Sequence, residues 1–257
     1  MKLRILGSIF LSSSLLLAAC GNGADEKSSS DVVKDLQSNA KKVESYHTDN
    51  QVEIAPKGQE SQKVKIGMDV DKKQTAKLDM NQAGQKMKIY VQGKKMLAQT
   101  QGQWIDLSSE VKNMDIDSSL DQLNYEKYAK SLSAFEDAES KKVDNGYQLT
   151  YNIKDKKDFT KLANASGNKK QLKQFEKQID KVSGKAVLNV NKKNQISSYK
   201  LNAKLSKDKE SANLKSNIKY TKLNKVDEIK IPDEAKDAKK IEDIQKDANS
   251  SSSNKAS

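Results

Sequence analysis

The chain has 257 residues and a formal charge of +12, with 35% of residues hydrophobic and 32% charged. Its apolar residues recur in periodic runs, which excludes disorder along the whole length, and the length suits one sizeable domain. Arg4 is the only arginine, so the positive charge is lysine; lysine lacks the planar fork that reads guanine bidentately, which argues against base-specific nucleic-acid recognition.

Lys2 and Arg4 open the chain, and Ile5 to Leu17 is mostly apolar, interrupted by Ser12, Ser13 and Ser14. Leu17-Ala18-Ala19-Cys20 follows. The apolar run is too short for a durable membrane span. The segment resembles a bacterial lipoprotein signal peptide, and Leu-Ala-Ala-Cys resembles the lipobox. That resemblance implies removal of residues 1–19, a diacylglyceryl anchor on Cys20, and a place on the extracytoplasmic face of the cell membrane. Cys20 is the only cysteine, so no disulfide forms within the chain, and a lipidated Cys20 leaves no free thiol. Residues 20–30 read as a lipidated cysteine and a polar, flexible tether.

Ser30 is placed to cap a helix starting at Asp31, with Val32, Val33, Leu36, Ala40 and Val43 on one face. The period then becomes two, which predicts about six strands. They are marked by Val64, Ile66, Met68 and Val70, then Ala76, Leu78 and Met80, then Met87, Ile89 and Val91. Met96 and Ala98 follow, then Trp104, Ile105 and Leu107. Ser119, with Gln122 three residues on, predicts a second helix with Leu120, Leu123, Tyr128, Leu132 and Phe135 on its apolar side. Asn145-Gly146 predicts a type I′ hairpin between a strand near Val143 and one bearing Tyr147, Leu149, Tyr151 and Ile153. A broken helix is expected from Asp155 to Val182, divided at Gly167 and ended by Gly184, with Leu172, Phe175, Ile179 and Val182 on one face. Three long strands follow, carrying Ala186, Leu188 and Val190, then Tyr199, Leu201, Ala203 and Leu205, then Ala212, Leu214, Ile218 and Tyr220. Residues 233–257 read as a weak charged helix from Asp233 to Ala248 and a disordered Ser-rich tail.

These readings assemble into an α+β domain over residues 31–232: an antiparallel sheet of about eleven strands, curled and covered by helices. The order of elements, the Gln103-Trp104-Ile105-Asp106-Leu107-Ser108 segment and Ile229-Lys230-Ile231-Pro232 resemble the LolA/LppX-like lipoproteins. Within that group the chain is similar to the uncharacterised Lys-rich lipoproteins of Gram-positive bacteria. The resemblance implies a half-barrel with an apolar cavity able to hold acyl chains.

Met68, Met80, Met87 and Met96 sit on the apolar faces of four successive strands. Methionine suits both irregular core filling and the lining of a cavity for flexible chains, and both readings stand. Trp104, with Tyr125, Tyr128 and Phe135, is placed either at the mouth of such a cavity or in the sheet–helix junction. His47, the only histidine, has no second histidine or cysteine beside it for metal or base chemistry. Asp69 and Asp71, and Asp115 and Asp117, read as exposed polar faces rather than paired catalytic or calcium-binding carboxylates. No nucleophile elbow, P-loop or zinc-protease pattern occurs. The expectation is therefore a non-catalytic binding protein with no cofactor and no metal, held at the membrane through Cys20. Its ligand would be a lipid or another amphiphile. The alternative is an anchored module that contacts a cell-wall polymer or another protein. The lysine excess suits diffuse attraction to anionic lipid headgroups or to an anionic cell-wall polymer, or is a plain solvated surface.

Overall fold

The structure is a computed structural model that describes residues 26–82, 84–109, 124–164 and 176–244. Its first helix, α1, spans Ser29–Ala40. Ser28, not Ser30, is the cap: its side chain accepts from the Asp31 amide at 3.1 Å and its hydroxyl donates to the Asp31 carboxylate at 2.7 Å. Of three consecutive serines, only Ser28 has an acidic residue three positions on, the spacing a reciprocal cap needs. Val32, Val33, Leu36 and Ala40 bury the inner face of α1.

Six strands follow: β1 Tyr46–Pro56, β2 Gln62–Val70, β3 Ala76–Gln82, β4 Gln85–Gln92, β5 Lys95–Thr100 and β6 Gln103–Asp106. Helix α2 spans Tyr125–Ser131 and is capped by the Asn124 side chain, which accepts from the Lys127 amide. The expected start at Ser119 and Gln122, with Leu120 and Leu123, lies outside the described residues, as do Asp115 and Asp117. A 3-10 helix, Leu132–Asp137, continues α2. Then come β7 Glu139–Val143, β8 Gly146–Ile153, α3 Lys156–Asn164, β9 Lys181–Asn191, β10 Ile196–Lys207 and β11 Glu210–Thr221.

Two expectations shift here. The β7–β8 turn consists of Asp144 and Asn145, because Gly146 already pairs with Val143. Gly146 has φ 128, and a Cβ on it would lie 2.1 Å from the Val190 carbonyl oxygen. Gly184 ends no helix. It lies within β9, opposite Ala203 and Ile153, where a Cβ would meet the Asn202 carbonyl oxygen at 2.1 Å. Helical spacing around Ile179 and Val182 therefore gives way to an extended strand from Lys181. Gly167, Leu172 and Phe175 lie outside the described residues.

The described strands form one sheet in the order β12-β6-β5-β4-β3-β2-β1-β11-β10-β9-β8-β7, antiparallel except for β12. Laid flat, twelve strands would span roughly 50 Å at ~4.8 Å per strand, whereas α1 is only about 18 Å long. Yet one buried cluster joins α1 to Val91 and Ala98 near one end of the sheet and to Leu149 and Ile153 near the other. The sheet therefore curls around its helices. It stays open, since β7 and β12 do not pair.

The charged helix expected from Asp233 to Ala248 is replaced over its first half by a 3-10 turn and a short strand; residues 241–244 are helical, and the remainder, with the Ser-rich tail, lies outside the described residues. Asn224 accepts from the Glu44 amide and donates to the Lys42 carbonyl, Ser45 accepts from the Val226 amide, and Asp71 accepts from the Ile229 amide. This strap carries the chain to a 3-10 turn, Asp233–Asp237, and to β12, Lys239–Lys240, which pairs in parallel with β6. Edge pairing thus fixes residues that charge alone presents as a solvated helix. Asp71, expected on an exposed face, is 1% exposed and also accepts from the amides of Lys73 and Thr75.

Candidate functional site

The strand register places the predicted site residues. Met80 lies directly opposite Met87, Met68 opposite Leu78 and Met96 opposite Val91. All four methionines share the inner face, half-buried against the core. Trp104 does not join them. It is paired with Gln99 on the outer face, its ring 5.7 Å from that of Tyr90. Trp104 and Ile105 are adjacent on one strand, so their side chains point to opposite faces.

The apolar cavity lies elsewhere on the inner face. It measures about 280 Å³. Tyr199 and Leu201 of β10 and Ile218 of β11 form its sheet wall; Tyr128 of α2, with Leu132 and Phe135, forms the helical wall; Phe159 and Leu162 of α3 complete it. Tyr128 and Phe135, placed by sequence at the mouth of a cavity, do line it, whereas none of the four methionines does. Sequence alternation marked every sheet residue in this wall as inward-facing. It carried no signal for which strands the helices leave partly uncovered.

The local chain explains the geometry. Tyr199 and Ile218 are register partners, so they present side by side. Ala186 and Gly184, on β9 beside Leu201 and Ala203, keep that flank shallow. The Ser131 hydroxyl donates to the Tyr128 carbonyl at 2.6 Å, turning a polar residue of the lining back onto its own helix.

Tyrosines crowd one end. Tyr220 contacts Tyr46, Tyr125 and Tyr128, with ring centroids 5.7–6.0 Å apart. The Tyr125 hydroxyl accepts from the Ile196 amide at 2.7 Å. Burial pushes the hydroxyls of Tyr46, Tyr125, Tyr128 and Tyr220 well above the usual phenol range, and that of Tyr199 up to about 12. At neutral pH they are uncharged, and of the five, Tyr128 and Tyr199 line the apolar cavity.

Asn50 of β1 adds an unspent acceptor. It faces inward beside Ile218, and its Oδ1 is buried without a hydrogen-bond partner. Leaving such a group unpaired costs about 1–3 kcal/mol. No pattern in the sequence singles Asn50 out.

A larger hollow, about 810 Å³, lies beside β7, β8 and α3 but is polar. Several of its charges are internally engaged: Lys161 pairs with Asp137, and Asp158 accepts from Tyr151 and from the Lys154 amide. His47 lies on the outer face, its Nδ1 2.8 Å from Asp69 and its Nε2 3.4 Å from Asp49. No group of acidic, histidine or cysteine side chains among the described residues is placed to hold a metal. No described helix is long and apolar enough to cross a membrane. Cys20 lies outside the described residues.

No curated protein matches the chain. Among solved structures it is similar to LprF from Mycobacterium bovis, at 13% identity and a TM-score of 0.42, covering 80% of this chain and 97% of that one. It is also similar to a LolA superfamily protein from Nitrosomonas europaea, at 8% identity and a TM-score of 0.30, covering 80% and 96%. For a DUF1329 family protein from Desulfovibrio piger the identity is 9% and the TM-score 0.27, covering 75% and 90%. Residues 28–240, from the cap of α1 to the end of β12, match DUF6612, described as a family of unknown function, and the chain belongs to that family.

Proposed function

We propose that this protein is an extracytoplasmic lipoprotein, anchored through lipid on Cys20, that binds the apolar chain of a lipid or other amphiphile. The observation that carries the binding reading is the apolar cavity between α2, α3 and strands β10–β11. At about 280 Å³ it lies near the ~300 Å³ lower end for small-molecule sites. That volume suits one chain end rather than a whole multi-chain lipid. Each buried CH₂ contributes about 0.8 kcal/mol, against an association cost of several kcal/mol or more. Tyr128 and Tyr199, which line the cavity, carry the hydroxyls placed to meet a hydroxyl or amide near the chain. The methionine face of β2–β5 adjoins this wall across β1 and offers adaptable apolar surface for the remainder of the ligand.

Anchoring is tested by palmitate labelling: wild type incorporates label, and Cys20→Ala does not. Equal incorporation in the mutant overturns the anchor. Binding is tested by native mass spectrometry of protein produced in bacteria. Bound mass that extraction identifies as an acyl-chain compound is expected; protein free of such mass that also takes up no fatty acid from vesicles contradicts the reading.

A further inference from the structure

The outer face of β9, β10 and β11 carries Lys181, Lys185, Lys200, Lys204, Lys215 and Lys219, all exposed. That face bears no Asp or Glu on these three strands. None of the six lysines forms an ion pair among the described residues. On one flank β8 contributes uncharged Gln148, Thr150 and Asn152; on the other, Asp49 and Glu53 of β1 lie directly opposite Lys219 and Lys215, which leaves Lys181, Lys185, Lys200 and Lys204 without an acidic cross-strand neighbour.

The lysines form a checkerboard. Asn202 lies between Lys185 and Lys215, while Lys204 lies between Ser183 and Asn213. No lysine is directly opposite another, which limits repulsion across the sheet. The array runs from the Lys181–Ser206 row to the Ser198–Lys219 row. At ~3.4 Å per residue that is roughly 27 Å long, and about 10 Å wide across three strands.

We propose that this stripe binds a polyol-phosphate polymer, a linear polyanion whose repeat carries both phosphate and hydroxyl groups. Lysine supplies point charges for the phosphates. The interleaved asparagines and serines supply donors and acceptors for the hydroxyls. The length exceeds that of any small anion. The face is convex, because the helices lie on the inner side, so a flat bilayer touches little of it. It also offers no aromatic or exposed apolar side chain to insert among lipids or to stack on nucleobases. The inference rests on the outer face alone and is independent of the cavity.

The test measures binding of labelled short-chain poly(glycerol phosphate) to the full chain held in phosphatidylcholine nanodiscs. Affinity is expected to fall as salt rises. The triple variant Lys185→Gln, Lys200→Gln, Lys204→Gln is expected to weaken binding by about tenfold or more. The triple variant Lys41→Gln, Lys94→Gln, Lys230→Gln removes the same charge elsewhere and is expected to stay within about threefold of wild type. Equal losses in the two variants overturn the site, since they reveal diffuse charge attraction. No binding at low salt overturns it as well. Stronger binding to phosphatidylglycerol vesicles, or equal binding to single-stranded DNA, overturns the assigned partner.

Discussion

Asn50 leaves a buried polar group unpaired at a single position. Its carbonyl oxygen is buried and unpaired beside the cavity wall, so Asn50→Leu removes an unmet polar group at similar volume. The variant should be more stable by about 1 kcal/mol in denaturant titration. Lower stability would show that the amide is needed for folding. Asp71 presents the opposite case, a buried carboxylate accepting from three backbone amides. Asp71→Ala should cost about 3 kcal/mol or more in urea unfolding; a loss below ~1 kcal/mol would mean that the strap is held by other contacts. The tyrosines make stability pH-dependent. Their folded pKa values are raised, Tyr199 to about 12, above the unfolded value of about 10. The folded state keeps protons that the unfolded chain releases, so this contribution is full below about pH 10 and is lost as pH rises through about 12. Phenolate absorbance should therefore rise in step with unfolding. Tyrosines that all titrate near pH 10 with stability unchanged would contradict the buried cluster.

At the level of elements, β9 depends on a close approach that only glycine permits. Gly184→Ala places a methyl group against the Asn202 carbonyl oxygen and should destabilise the protein by about 2 kcal/mol or more, read from its thermal or denaturant midpoint. An unchanged midpoint would show that β9 and β10 separate without cost. Residue patterning shows both how much of this architecture was legible and why some was hidden. Period-two runs identified β2–β5 and β9–β11 because their inner residues are apolar. No apolar run marks β1, because its inner face begins Tyr46, Thr48, Asn50, which interrupts the apolar alternation at the sheet's centre. Alternation also separates Trp104 from Ile105, yet hydrophobicity grouped the two together. The strap was hidden because Asn224 and Asp71 act through partners more than 150 residues away in the chain, a distance no local pattern encodes. The cavity was half legible. Tyr199, Leu201 and Ile218 read as inward-facing, but which strands the helices cover is settled only by packing.

At the level of the whole molecule, the curled sheet separates two surfaces of opposite character. The inner face gathers the helices, the tyrosine cluster and the apolar cavity; the outer face of β9–β11 presents lysines and no acidic residue of its own. The two proposals thus assign an amphiphile to the inner face and a polyanion to the outer one. The central claim is that the cavity walled by β10, β11, α2 and α3, and not the methionine face alone, holds the ligand's apolar chain. The most direct measurement compares the affinity of a fluorescent fatty acid for wild type, Leu201→Trp and Met87→Lys, each confirmed folded by circular dichroism. Leu201→Trp fills the cavity and should weaken binding by about tenfold or more, while Met87→Lys, outside the cavity on the adjoining face offered to the rest of the ligand, should weaken binding by clearly less than Leu201→Trp does. Unaltered affinity in Leu201→Trp alongside a large loss in Met87→Lys would contradict the account and place the ligand on the methionine face.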